Sequence, residues 1–116
     1  MSHIIICGDR NWKNYESILN FVKTLDKNII VIQGGCSGAD LLAKKASQEC
    51  GLVCVTMNAN WKKYGKVNGP LRNEQMLEIS PEFVVAFHSN IEDSKGTKNM
   101  IELAKSASIP VMIIKE

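Results

Sequence analysis

Ile29-Ile30-Val31-Ile32-Gln33-Gly34-Gly35-Cys36-Ser37-Gly38-Ala39-Asp40 decides the fold. An apolar run meets a glycine-rich turn, and a helical pattern opens at Leu41. Glycine lets the chain turn tightly and lets backbone N–H groups approach a neighbour closely. A helix that starts here points its N-terminus, with unpaired N–H groups and partial positive charge, at the turn. An anion such as phosphate fits that arrangement. A tight strand-to-helix connection with no ligand fits it as well, because one glycine-rich turn is a weak motif.

Outward from this stretch, short apolar runs alternate with helical patterns. His3–Cys7 reads as the first strand, ended by Gly8-Asp9-Arg10. Tyr15, Ile18, Leu19, Val22 and Leu25 are spaced as one face of a helix over Tyr15–Leu25. Ile29–Ile32 is the second strand, and Ala39–Cys50 a helix with Gly51 just past its end. Leu52–Met57 is the third strand and Asn58–Gly69 is irregular. Pro70 suits the first turn of a helix that continues through Leu71–Ile79. Phe83–Phe87 is a strand, Gly96–Ala107 a helix and Val111–Ile114 the last strand. Such alternation predicts an α/β fold: one Rossmann-like domain over residues 1–116, with about five mainly parallel strands and helices on both faces. The strands are continuous apolar runs, as burial on both faces requires.

Composition bounds the function. The chain has 116 residues, 45% apolar and 22% charged, with a net charge of +2. That charge is too small to argue for a polyanion partner. Cys7, Cys36, Cys50 and Cys54 form no CxxC pair, and His3 and His88 complete no zinc spacing. We expect reduced thiols, a cytoplasmic setting, and neither metal nor cofactor. No apolar run reaches transmembrane length, and the N-terminus enters a strand directly, so neither a membrane partner nor a signal peptide is expected.

In a parallel sheet of this type, ligands bind beyond the carboxyl ends of the strands, where strand order reverses. The unusual polar residues collect there. Asp9, Arg10 and Trp12 follow strand one, and Gly34–Asp40 follows strand two. Asn58, Asn60 and Trp61 follow strand three, and His88 and Ser89 lead to Ser94-Lys95-Gly96-Thr97. Arg10 is suited to bidentate phosphate binding or to a surface ion pair. Trp12 and Trp61 either stack on a base or pack in the core. His88 is a proton-transfer group or a structural strand-end histidine. Cys36 has no histidine near it in sequence, so it is not read as a nucleophile. Arg72-Asn73-Glu74 falls in a first helical turn, facing the same edge. Gly96-Thr97 repeats the anion-site pattern, with Thr97 alternatively an N-cap.

Taken in order, these residues resemble the YspA/YpsA-type branch of the SLOG superfamily. The resemblance rests on Gly8-x-Arg10-x-Trp12, Gly34-Gly35-x-x-Gly38-Ala39-Asp40-x-x-Ala43, Trp61-x-x-Tyr64-Gly65-Lys66, Gly69-Pro70-x-Arg72-Asn73-x-x-Met76 and Gly96-Thr97-x-x-Met100-Ile101. It spans nearly the whole chain. It implies a nucleotide-binding Rossmann-like domain, related to the Lonely guy phosphoribohydrolases, to DprA, and to modules that sense ADP-ribose derivatives. It also implies a dimer or larger homo-oligomer. Arg72-Asn73-Glu74-Gln75-Met76 is similar to the Arg-Lys-x-x-Met segment of the phosphoribohydrolases. Where those enzymes carry a catalytic glutamate, three residues past the threonine, this chain carries Met100, which activates no water.

The leading expectation is therefore a binding module for a phosphate-bearing nucleotide or nucleotide sugar. Gly34, Gly35, Ser37, Gly38, Gly96 and Thr97 would hold phosphate or ribose oxygens, with Gly8 and Asn73 beside them. Arg72 and Arg10 would neutralise charge, Asp40 or Glu74 would accept ribose hydroxyls, and Trp12 or Trp61 would cover the base. An N-glycosidic hydrolase is the competing enzyme class, with Glu74 and Asp40 as its candidate catalytic carboxylates. Single-stranded nucleic-acid binding, as in DprA, is the third reading.

Overall fold

The computed structural model describes residues 2–59 and 68–116. Trp61, and with it Tyr64-Gly65-Lys66, lies outside the described residues. Five strands run in chain order as β1 (Ser2–Gly8), β2 (Ile29–Gln33), β3 (Val53–Thr56), β4 (Phe83–Phe87) and β5 (Val111–Ile114). The helices are α1 (Tyr15–Lys23), α2 (Ala39–Glu49), α3 (Asn68–Glu78) and α4 (Lys95–Ser106), with a 3₁₀ turn at Ile91–Asp93. All four strand pairings are parallel, in the order β3-β2-β1-β4-β5.

This order follows from the residues. Ile4, Ile5 and Ile6 of β1 are all fully buried, and successive strand residues point to opposite faces. Ile4 and Ile6 join Ile18 and Val22 of α1 and Ala39, Ala43 and Ala46 of α2. Ile5 joins Met76 of α3 and Met100 and Ala104 of α4. The middle strands β1, β2 and β4 therefore read as unbroken apolar runs. The outer strands depart from that expectation: Val53 and Val55 of β3, and Met112 and Ile113 of β5, are exposed.

Helix ends are set locally. The Asn14 side chain accepts from Ser17 N–H and caps α1. Ser94 caps α4 by accepting from Thr97 N–H at 3.1 Å, so Thr97 receives the cap and does not supply it. α2 has no side-chain cap; its first N–H, on Ala39, donates to the Asp9 carbonyl at 3.0 Å. Gly51, at φ 71°, ends the turn after α2.

The chain leaves β1 toward β2 on one side and later returns to β4 on the other. The carboxyl ends of β1 and β4 thus flank the point where strand order reverses, which opens a crevice in open α/β sheets. Asp9 N–H donates to the Phe87 carbonyl at 2.9 Å and stitches these two strand ends together.

Candidate functional site

A cleft of about 690 Å³ opens at that reversal point. Its floor is Cys7, Gly8 and Asp9 at the end of β1 and His88 at the end of β4. One wall carries Arg10, Asn11, Cys36 and Asp40, and another carries Gly69, Pro70, Arg72 and Asn73 of α3. The third is the stretch from Asp93 through Ser94, Lys95, Gly96 and Thr97, with Asn99 and Met100 behind it. The structure thus brings Gly8, Arg10, Asp40, Arg72, Asn73, Gly96 and Thr97 to one cavity. Met100 is buried and lines the cleft, so its thioether brings no charge there.

The glycine turn after β2 is engaged differently from the sequence expectation. The Asp40 carboxylate, 5% exposed, accepts from Gly34 N–H at 3.1 Å and Cys36 N–H at 3.2 Å through one oxygen, Oδ2. Arg72 Nη1 donates to the Gly34 carbonyl at 2.8 Å and to the Met57 carbonyl at 3.3 Å. Its Nε donates to Asn73 Oδ1 at 3.0 Å, and Asn73 Nδ2 reaches Asn99 Oδ1 at 2.9 Å and the Gly96 carbonyl at 3.3 Å. A Cβ on Gly34 would strike the Arg72 guanidinium, and one on Gly38, at φ 76°, would strike the Asp9 and Arg10 carbonyls. These glycines let the protein approach itself. Gly34, Gly35 and Ser37 border a second, shallower depression beside Asn58, and Ser37 Oγ donates to the Arg10 carbonyl at 3.2 Å. Gly38 borders neither hollow.

Two expected contacts leave the cleft altogether. Trp12 is 5% exposed and packs edge-on against Phe87, with ring centroids 5.7 Å apart. Its Nε1 donates to the Asn14 carbonyl at 2.9 Å and Ser17 Oγ at 3.2 Å, so it is a core residue that staples the start of α1 and covers no base. Glu74 sits on the exposed side of α3, because its neighbours Arg72, Asn73 and Met76 take the inward positions. It does not line the cleft and is no catalytic candidate.

Electrostatics sharpen the picture. Burial pushes the Asp40 carboxyl up to about 6, against the opposing pull of the Cys36 and Gly34 N–H groups and the Arg72 charge. Burial also raises the Cys7 thiol, with the Asp40 charge adding to it, so Cys7 stays protonated and is no nucleophile. Among the described residues no group of three or more His, Cys, Asp or Glu is placed to hold a metal ion, and no helix is long and apolar enough to cross a membrane. Lys95, Asp93 and Asn99 line the cleft without having been singled out from sequence as ligand contacts. Only the strand order that brings the α4 start over the β1 end reveals them.

Comparison with known proteins agrees with this architecture. The profile of the YspA, cpYpsA-related SLOG family matches residues 2–64. Over 121 aligned residues the chain is 29% identical to the Gene 61 protein of Mycobacterium phage D29, across 97% of this chain and 95% of the phage protein. Among solved structures it is similar to TM1055, a Northeast Structural Genomics Consortium target. The TM-score is 0.72 at 21% identity, across 96% of this chain and 72% of that one. It is also similar to DNA processing protein A (DprA) from Streptococcus pneumoniae. There the TM-score is 0.59 at 13% identity, across 97% of this chain and 58% of that one. These two likenesses speak to the fold.

Proposed function

The chain belongs to the YspA/cpYpsA-related SLOG family, and on that footing we propose that it binds a phosphate-bearing nucleotide or nucleotide sugar, of the ADP-ribose type, in the cleft over β1 and β4. The observation that carries this reading is the wall at the start of α4. A Cβ on Gly96 would meet nothing within 4 Å, so the first turn faces open space in a cavity large enough for a nucleotide. The positive end of the α4 dipole and Lys95 favour a phosphoryl group there, with Arg10 across the cleft as a second cation. Arg72 acts mainly by holding the Gly34 turn and α3 in register.

Gly96→Glu tests this directly. An acidic residue in the first turn of a helix holds or slightly raises stability, while its carboxylate fills the phosphate position. Thermal-shift titration with AMP, ADP, ADP-ribose and NAD is expected to stabilise the wild type and leave Gly96→Glu unmoved. A shift retained by the variant would place the ligand elsewhere.

A second reading, cleavage of the ligand's N-glycosidic bond, is favoured by one observation. Asp40 lines the cleft, and its carboxyl is pushed up to about 6, within reach of proton transfer near neutral pH. Release of free base from a bound nucleotide, abolished in Asp40→Asn with binding retained, would establish it.

A further inference from the structure

We propose that His88 is a ligand-contacting residue whose Nε2–H donates a hydrogen bond to a phosphoryl oxygen in the cleft; this rests on the nucleotide reading above. The ring is held in one state by its surroundings. His88 is 7% exposed, and its Nδ1 accepts from Asn90 N–H at 3.0 Å. A ring nitrogen that accepts carries no proton, so in the neutral imidazole the proton sits on Nε2.

Topology then aims that proton. Phe87 packs with the α1 and α2 side of the sheet, so the next residue along the strand turns to the α3 and α4 side, where the cleft lies. The His88 N–H is fixed by the Ile114 carbonyl at 3.0 Å, which holds the strand end rigid. Nε2 donates to none of the described residues. Nε2 is not among the sealed, partnerless side-chain atoms of the described residues, and His88 lines the cleft. An imidazole N–H on a side chain 7% exposed, unpartnered among the described residues and lining a cavity that already offers Lys95 and the α4 N-terminus, is placed to donate to an anionic oxygen.

Two substitutions separate this role from a structural one. Asparagine reproduces the position of Nδ1, so His88→Asn keeps an acceptor for Asn90 and removes the cleft donor. Glutamine reproduces the position of Nε2, so His88→Gln keeps the donor and loses the Asn90 contact. In calorimetric titration with ADP, His88→Asn is expected to bind about tenfold more weakly than the wild type, the loss of one hydrogen bond, with an unchanged unfolding midpoint. His88→Gln is expected to bind ADP as the wild type does while melting lower. His88→Asn binding ADP undiminished would overturn the proposal and leave the nucleotide site standing. A wild type that binds neither ADP nor the other nucleotides would overturn the site and this contact together. Independently of any ligand, a histidine ¹⁵N spectrum of the unliganded protein that places the proton on Nδ1 would overturn the donor assignment.

Discussion

The starts of α2 and α4 look alike in sequence and do opposite things in the structure. Each carries a glycine at or just inside the start of a helix, and each suits an anion. At α2 the Ala39 N–H is taken by the Asp9 carbonyl, the Gly34 peptide is gripped by Asp40 and Arg72, and Gly38 touches the β1–α1 connection. At α4 the space beside Gly96 is open and faces the cleft. A glycine demanded by close approach says only that something comes near. Whether that is the protein or a ligand depends on what the rest of the chain brings to the place.

The largest effect that can break this contrast is at Gly38. Gly38→Ala is expected to cost on the order of 4 kcal/mol, since the left-handed backbone and the overlap with Asp9 and Arg10 are each worth roughly 1–3 kcal/mol. Chemical denaturation measures it, and a midpoint near the wild type would mean the two turns are equally open. Next is Arg72→Ala, which strands the buried Gly34 carbonyl and frees the part-buried Met57 carbonyl, and should cost roughly 3 kcal/mol. Unchanged stability with nucleotide binding lost would return Arg72 to the ligand role that the sequence suggested.

A pH comparison sharpens the clamp itself. Asp40 has its folded pKa raised from 3.8 to about 6, so its contribution is most favourable below the lower value and is lost as pH rises through about 6. Asp40→Asn keeps an oxygen for both N–H groups. It should be the more stable protein at pH 8, by roughly 2–3 kcal/mol, with the difference vanishing toward pH 4. Parallel stability curves from pH 4 to 8 would refute the raised carboxyl. The smallest effect is Gly96→Ala, expected to be neutral or stabilising by up to about 1 kcal/mol, read as a melting shift without ligand.

The fold was legible because its signals are local. The runs Phe83–Phe87 and Val111–Ile114 coincide with β4 and β5, and the other elements differ by one to three residues at their ends. Helix capping explains some of those differences, as where the Ser94 cap starts α4 at Lys95, one residue before Gly96. The candidate site was legible as a place, because Arg10, Asp40, Arg72, Asn73, Gly96 and Thr97 do line one cleft. Their individual roles were not. That Arg72 grips Gly34 depends on a contact 38 residues away along the chain. Trp12 is core because Phe87 arrives beside it, and Glu74 is exposed because its helix turns Met76 inward. Spacing carries none of this. His88 was legible as a strand-end histidine at this edge, but which way its ring nitrogens are engaged was not, because that depends on the Asn90 N–H that meets Nδ1.

The Arg72 grip also bears on how the chain can be divided. The first three strands and two helices form a consecutive block, and the remaining elements form another; each supplies one side of the sheet around β1. A swap of either block between relatives would keep its local secondary structure. It would also have to keep a guanidinium in the second block matched to a bare glycine carbonyl and a buried carboxylate in the first. Modules of this chain are therefore exchangeable only as a matched pair, and Arg72 with Gly34 is the lock that a chimera must inherit whole.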